Sequence, residues 1–149
     1  MYKIILVPLD GSKRAEAILP YVENLALSLN TKVIFFMVEE PALMLGYDET
    51  IDMAKYHEER NHNKKQIESY LASVQKDFRA KGIVVQTLIG HGPVTKAIID
   101  TAEKENVGLV AMASHGHGAL LRAFYGGVAA GVLQRIDRPL LLIRSRRDG

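Results

Sequence analysis

Short β-rich apolar runs alternate with stretches of helical period along this chain, and that alternation restricts the fold more than any other feature. Residues 2–9 (Tyr-Lys-Ile-Ile-Leu-Val-Pro-Leu) are apolar on both faces, the pattern of a central parallel strand covered on two sides. Asp10-Gly11-Ser12 then stops the strand and supplies capping side chains. Ala15, Ile18, Leu19, Val22, Leu25, Ala26 and Leu29 recur at helical spacing, which predicts a helix over 13–30 kinked at Pro20. Further strands are expected at 32–38, 83–89, 107–112 and 139–143. A long connection over 39–63, partly helical from about Thr50, leads into a helix whose face is Ile67, Tyr70, Leu71, Val74 and Phe78, closed by Lys81-Gly82. Gly90-His91-Gly92-Pro93 is a turn whose proline suits a first helical position, and Val94, Ala97, Ile98, Thr101 and Ala102 form the next helix face. Strands alternating with helices demand right-handed crossovers, hence a doubly wound α/β fold with a parallel sheet between two helical layers.

Composition closes off several classes of function. The 149 residues carry a net charge of +2, too small to argue for nucleic acid as partner. No apolar run approaches a membrane span, and charged residues from Lys13 onward interrupt any leader-like pattern, so neither membrane nor export is expected. Without cysteine there is no disulfide, thiolate metal site or cysteine nucleophile, and the cytoplasm is the expected compartment. The basic cluster Arg144-Ser145-Arg146-Arg147 reads as a frayed, solubilising tail.

In a doubly wound sheet, ligands sit beyond the carboxyl ends of the strands where the winding reverses. Two stretches fall there if strands one and four are neighbours: Asp10-Gly11-Ser12, and Ala113-Ser114-His115-Gly116-His117-Gly118 running on to Gly126-Gly127 and the helical Val128–Ile136 segment. Small residues between a strand and a helix bare the N–H groups that hold an anion. A phosphate loop of the Gly-x4-Gly-Lys-Ser/Thr kind is missing, as is a Gly-x-Gly-x-x-Gly fingerprint after strand one. Strand three ends in Gly90-His91 and strand five in Arg144, which argues against a phospho-acceptor receiver domain. Asp10, Ser12, Ser114 and His115 are the residue types of a hydrolase triad without its Gly-x-Ser-x-Gly elbow, and capping explains Asp10 and Ser12 more simply. His115 and His117 have no carboxylate near them in sequence, so turn residues are the better reading than metal ligands.

Together, Ile5-Leu-Val-Pro-Leu-Asp-Gly-Ser12, Gly92-Pro93, Ser114-His115-Gly116 through Arg122 and Gly126 to Val128, and Arg138-Pro139-Leu140-Leu141-Leu142-Ile143 resemble the universal stress protein family over nearly the whole chain, 1–149. The resemblance implies a Rossmann-like, adenine nucleotide alpha hydrolase-like sheet of five strands in order 3-2-1-4-5. It implies a homodimer through the last strand, Leu140, Leu141, Leu142 and Ile143. Some members bind ATP and others do not. The binders are similar to Gly-x2-Gly-x9-Gly-Ser/Thr; here the frame is Ala113-x2-Gly116, nine residues, then Gly126-Gly127, with spacing intact and two positions changed. Loss of the hydroxyl at Gly127 forgoes a hydrogen bond to phosphate of about 1.5–3 kcal/mol, one to two decades in affinity.

By position, the resemblance gives the Val38 backbone the adenine edge, and Pro8 and Asp10 the ribose side. Asp10 also holds a phosphate-bound divalent ion, Mg or Mn. Ala113, Ser114 and His115 lead into the loop, where Gly116, His117, Gly118, Ala119, Gly126, Gly127, Val128 and Ala129 cradle phosphates through N–H groups. Arg122 stands within reach of a terminal phosphate. The expected function is that of an ATP-, ADP- or AMP-binding regulatory homodimer of the stress response, not an enzyme, acting on a protein partner that the sequence does not name. The competing expectation is an interaction module of the same fold without nucleotide, which the changes at Ala113 and Gly127 favour.

Overall fold

The computed structural model describes residues 2–39, 53–114 and 127–145. Five strands, β1 (Ile4–Pro8), β2 (Lys32–Glu39), β3 (Val85–His91), β4 (Leu109–Ser114) and β5 (Leu140–Arg144), form one sheet in the order β3-β2-β1-β4-β5. Every neighbouring pair is parallel. The helices are α1 (Leu19–Leu29), α2 (Met53–Arg79), α3 (Val94–Lys104) and α4 (Val128–Arg135). None of the described helices is long and apolar enough to cross a membrane.

The pleat explains why β1 is apolar throughout. Ile5 and Val7 point into the core beneath α1 and α2, whereas Leu6 points into a second core beneath α3 and α4. All three are fully buried. The same alternation sends Val33 and Phe35 of β2 to the first core and Ile34 and Phe36 to the second. Phe35 meets Phe78 of α2 edge to face, with ring centroids 4.9 Å apart. Gly90 of β3 leaves room for the Phe36 ring, since a Cβ there would stand 2.5 Å from Cζ.

Several boundaries differ from the sequence expectation, each for a local reason. Residues 13–30 are not one kinked helix. Ala15–Ile18 form a 3-10 turn, and α1 starts at Leu19 with Pro20 in its first turn, where its missing N–H leaves no hydrogen bond broken. Helix α2 starts at Met53, inside the stretch expected to be partly helical from about Thr50, and runs unbroken to Arg79; 40–52 lie outside the described residues. Ile83 and Val107, read as strand starts, belong to helix closures: Ile83 N–H donates to the Phe78 carbonyl and Val107 N–H to that of Ala102. Gly82, at φ +84°, makes the first closure without the penalty a side chain would carry there. Pro93 is the residue before α3, not its first member, with φ −62° and ψ 136°. At the other end of the sheet the strands run further than expected, to Glu39, His91, Ser114 and Arg144. Two residues read as basic tail belong to the end of the sheet instead: Arg144 pairs with Ser114, and Ser145 is buried with its N–H on the Ser114 carbonyl; Arg146 and Arg147 lie outside the described residues.

Candidate functional site

The winding reverses at β1, which has β2 on one side and β4 on the other. β1 stops at Pro8, level with Phe36, while β2 continues three residues more to Glu39. Leu9 N–H still donates to the Phe36 carbonyl at 2.8 Å. Backbone direction alternates along a strand, so Val38 turns its N–H and C=O to the same side as Phe36 does, past the end of β1.

Beyond Leu9 the chain folds over in a local turn. Asp10 Oδ1 accepts from Ser12 N–H at 2.9 Å, and Ser12 Oγ accepts from Ala15 N–H at 3.2 Å. Asp10 closes an Asx turn and Ser12 holds the first N–H of the 3-10 turn, so these side chains bond locally and neither caps α1. The turn, the strand ends and three helices enclose two hollows. The larger, about 680 Å³, reaches from Asp10 across Val38 and Glu39 to Asn63, Gln66 and Tyr70 of α2. The smaller, about 140 Å³, reaches from Asp10 to Ser114 and to Gly127, Val128 and Ala129 at the start of α4. Both share Pro8, Leu9, Asp10, Val94 and Ile98, so they form one crevice over the strand ends.

Of the residues singled out from sequence, Pro8, Asp10, Val38, Ala113, Ser114, Gly127, Val128 and Ala129 all line this crevice. His115, Gly116, His117, Gly118, Ala119, Arg122 and Gly126 lie outside the described residues. Ala113 packs its methyl with the core beneath α1, the face of the sheet opposite α4. Gly127 has φ −95° and ψ −172°, extended backbone open to any residue, and α4 has no side-chain cap. Ser114 is buried, its Oγ donating to the Ile143 carbonyl at 3.3 Å.

Sequence reasoning missed the polar roles of four residues. Glu39 is only 8% exposed, with Arg60 Nε 3.6 Å from Oε1 and His91 Nδ1 3.7 Å from Oε2. Its signal was a charge closing an otherwise apolar strand, Lys-Val-Ile-Phe-Phe-Met-Val-Glu. Asn63 and Gln66 gave no signal, standing in a polar run without apolar period. Tyr70, read only as helix face, donates its hydroxyl to Glu16 Oε2 and ties α2 to the 3-10 turn. Burial above all, then the hydrogen bond to Glu16 and the charges of Glu16 and Asp10, push its phenol above the ordinary range.

The sequence model of the universal stress protein family matches residues 1–144. The chain belongs to that family. Universal stress protein MJ0577 of Methanocaldococcus jannaschii is 26% identical over 159 aligned residues, covering 99% of this chain and 98% of that one. Its structure gives a TM-score of 0.81 over 99% of both chains. Two more distant structures share the fold. A universal stress protein in complex with cAMP is 17% identical, with TM-score 0.66 over 97% of this chain and 98% of that one. A universal stress family protein from Arabidopsis thaliana with AMP bound is 12% identical, with TM-score 0.68 over 98% of this chain and 93% of that one.

Proposed function

We propose that this universal stress protein binds an adenine nucleotide, ATP or its products ADP and AMP, along the crevice over β2, β1 and β4. One observation carries the reading: Val38 holds out an N–H and a C=O, side by side, over a hollow of about 680 Å³. Adenine offers the complement on its Watson–Crick edge, a ring nitrogen that accepts and an amino group that donates. The ribose then lies over Pro8 and Asp10, and the phosphates run towards Gly127, Val128 and Ala129, where the first N–H groups of α4 carry partial positive charge. AMP and cAMP in two relatives of the same fold add support.

Both changes from the binding motif are compatible with a phosphate. Ala113 turns its methyl away from α4, and Gly127 keeps its backbone N–H while lacking only the hydroxyl. Asp10 spends one carboxylate oxygen on the Ser12 N–H, and the other suits a divalent ion held mainly by phosphate oxygens and water. Among the described residues no cluster of three or more histidines and acids forms a metal site without such a ligand. Occupancy, not turnover, is the functional event: nucleotide bound or absent alters the surface shown to a partner protein. We include in the proposal one domain over 1–149, cytoplasmic, and a homodimer through Leu140, Leu141, Leu142 and Ile143.

The missing hydroxyl at Gly127 favours a second reading, an interaction module without nucleotide. Mass spectrometry of the supernatant from freshly purified, acid-denatured protein separates the two. A stoichiometric adenine nucleotide is the expected result, and a supernatant without nucleotide from protein prepared in magnesium favours the module.

A further inference from the structure

We propose that the Glu39 carboxylate selects the base, accepting a hydrogen bond from the exocyclic amino group of adenine and rejecting purines with a 6-oxo group. This rests on the adenine-nucleotide reading above. Glu39 lines the larger hollow beside Val38 and is 8% exposed. Its neighbours Arg60 and His91 are 53% and 64% exposed, so the Arg60 guanidinium balances the charge from the outer side and the His91 ring stands beside it there. Their distances, 3.6 and 3.7 Å, exceed the roughly 2.7–2.9 Å of a charged hydrogen bond. A carboxylate withdrawn from water to this degree needs donors, and these two long contacts leave acceptor capacity towards the hollow.

Chain direction supplies the orientation. Passing from Val38 to Glu39, the N–H of Val38 comes first, then its C=O, then the carboxylate. Adenine placed with N1 on the N–H puts its amino group at the C=O. One amino hydrogen goes to that carbonyl and the second is free for Glu39. Hypoxanthine in the same place sets a carbonyl oxygen against both acceptors and a ring N–H against the Val38 N–H. Each contact changes from attraction to repulsion, and the carboxylate makes the largest change because it is charged.

The test is calorimetric titration with ATP and with ITP, which differ at that group, into the wild type and Glu39→Gln. The wild type is expected to prefer ATP by at least about a hundredfold, and the amide, able to turn its NH2 towards a 6-oxo group, to narrow that preference by about ten- to a hundredfold. The ratio within one protein is insensitive to the fraction folded. If Glu39→Gln does not fold, Glu39→Asp takes its place: it keeps the charge but draws it back by a methylene, so ATP is expected to weaken about tenfold. ATP binding with an unchanged ATP-to-ITP ratio in Glu39→Gln, or unchanged ATP affinity in Glu39→Asp, overturns the role of Glu39 and leaves the nucleotide site standing. A wild type that binds neither nucleotide overturns both.

Discussion

Tyr70 shows how one side chain couples the crevice to the stability of the fold. Its hydroxyl bridges α2 to Glu16 in the 3-10 turn, beside the Asp10 turn that shapes the crevice. Tyr70→Phe removes that bond, and about 0.5–1.5 kcal/mol of stability is the expected loss near neutral pH for a partly solvated pair. The pH dependence has a definite sign. The phenol is raised above its ordinary value of 10.0 in the folded chain, so past pH 10 the unfolded chain releases the proton while the folded chain keeps it. The contribution of Tyr70 is thus complete below pH 10 and declines above it. Urea denaturation of both proteins at pH 8 and pH 11 is expected to show the gap between them narrowing; a gap that widens would contradict this account of Tyr70. At the same scale, the local hydrogen bonding of Asp10 and Ser12 was legible, because an acid and a hydroxyl two apart around a glycine have a local mechanism. The role of Glu39 was not, because burial of a strand-end charge depends on Arg60 and His91, 21 and 52 residues on in the sequence.

At the level of elements, periodicity read the interior of the strands, of α1, of α3 and of the later part of α2 correctly, and the ends poorly. The interior is set by burial, which repeats, whereas the ends are set by single hydrogen bonds. Ile83 and Val107 are apolar and β-branched or aliphatic like their strand neighbours, yet each N–H closes the preceding helix. Pro20 was misplaced for a related reason: a helical apolar pattern continues smoothly from the 3-10 turn into α1, and only the proline marks the change. Because Pro20 stands in the first turn, Pro20→Ala is expected to change stability by less than about 1 kcal/mol. A proline in a helix interior costs about 3 kcal/mol, so a gain of that size on chemical denaturation would instead show the continuous, kinked helix.

For the whole molecule, alternating strands and helices made the doubly wound sheet legible, and the family resemblance added its strand order. The crevice followed from that order, with Asp10, Ser114 and Gly127 at neighbouring strand and helix ends. Its β2 side extended further than the sequence reading, to Glu39 and α2, and Val94 and Ile98 of α3 line it as well. β5 ends the sheet as an edge with half-buried Leu140, Leu141, Leu142 and Ile143, the kind of edge that invites a second chain. Sedimentation at micromolar concentration is expected to show a dimer for the wild type and a monomer for Ile143→Asp; a wild-type monomer, or a variant dimer of equal strength, would refute that assembly. The central claim is the nucleotide in the crevice, and calorimetric titration of ATP with magnesium, alongside Gly127→Ser and Gly116→Val, tests it most directly. Saturable one-to-one binding is expected in the wild type, tighter by up to one to two decades in Gly127→Ser, where a hydroxyl is added to extended backbone, and lost in Gly116→Val. If wild type and Gly127→Ser bind none of ATP, ADP or AMP at millimolar ligand, the crevice is not a nucleotide site.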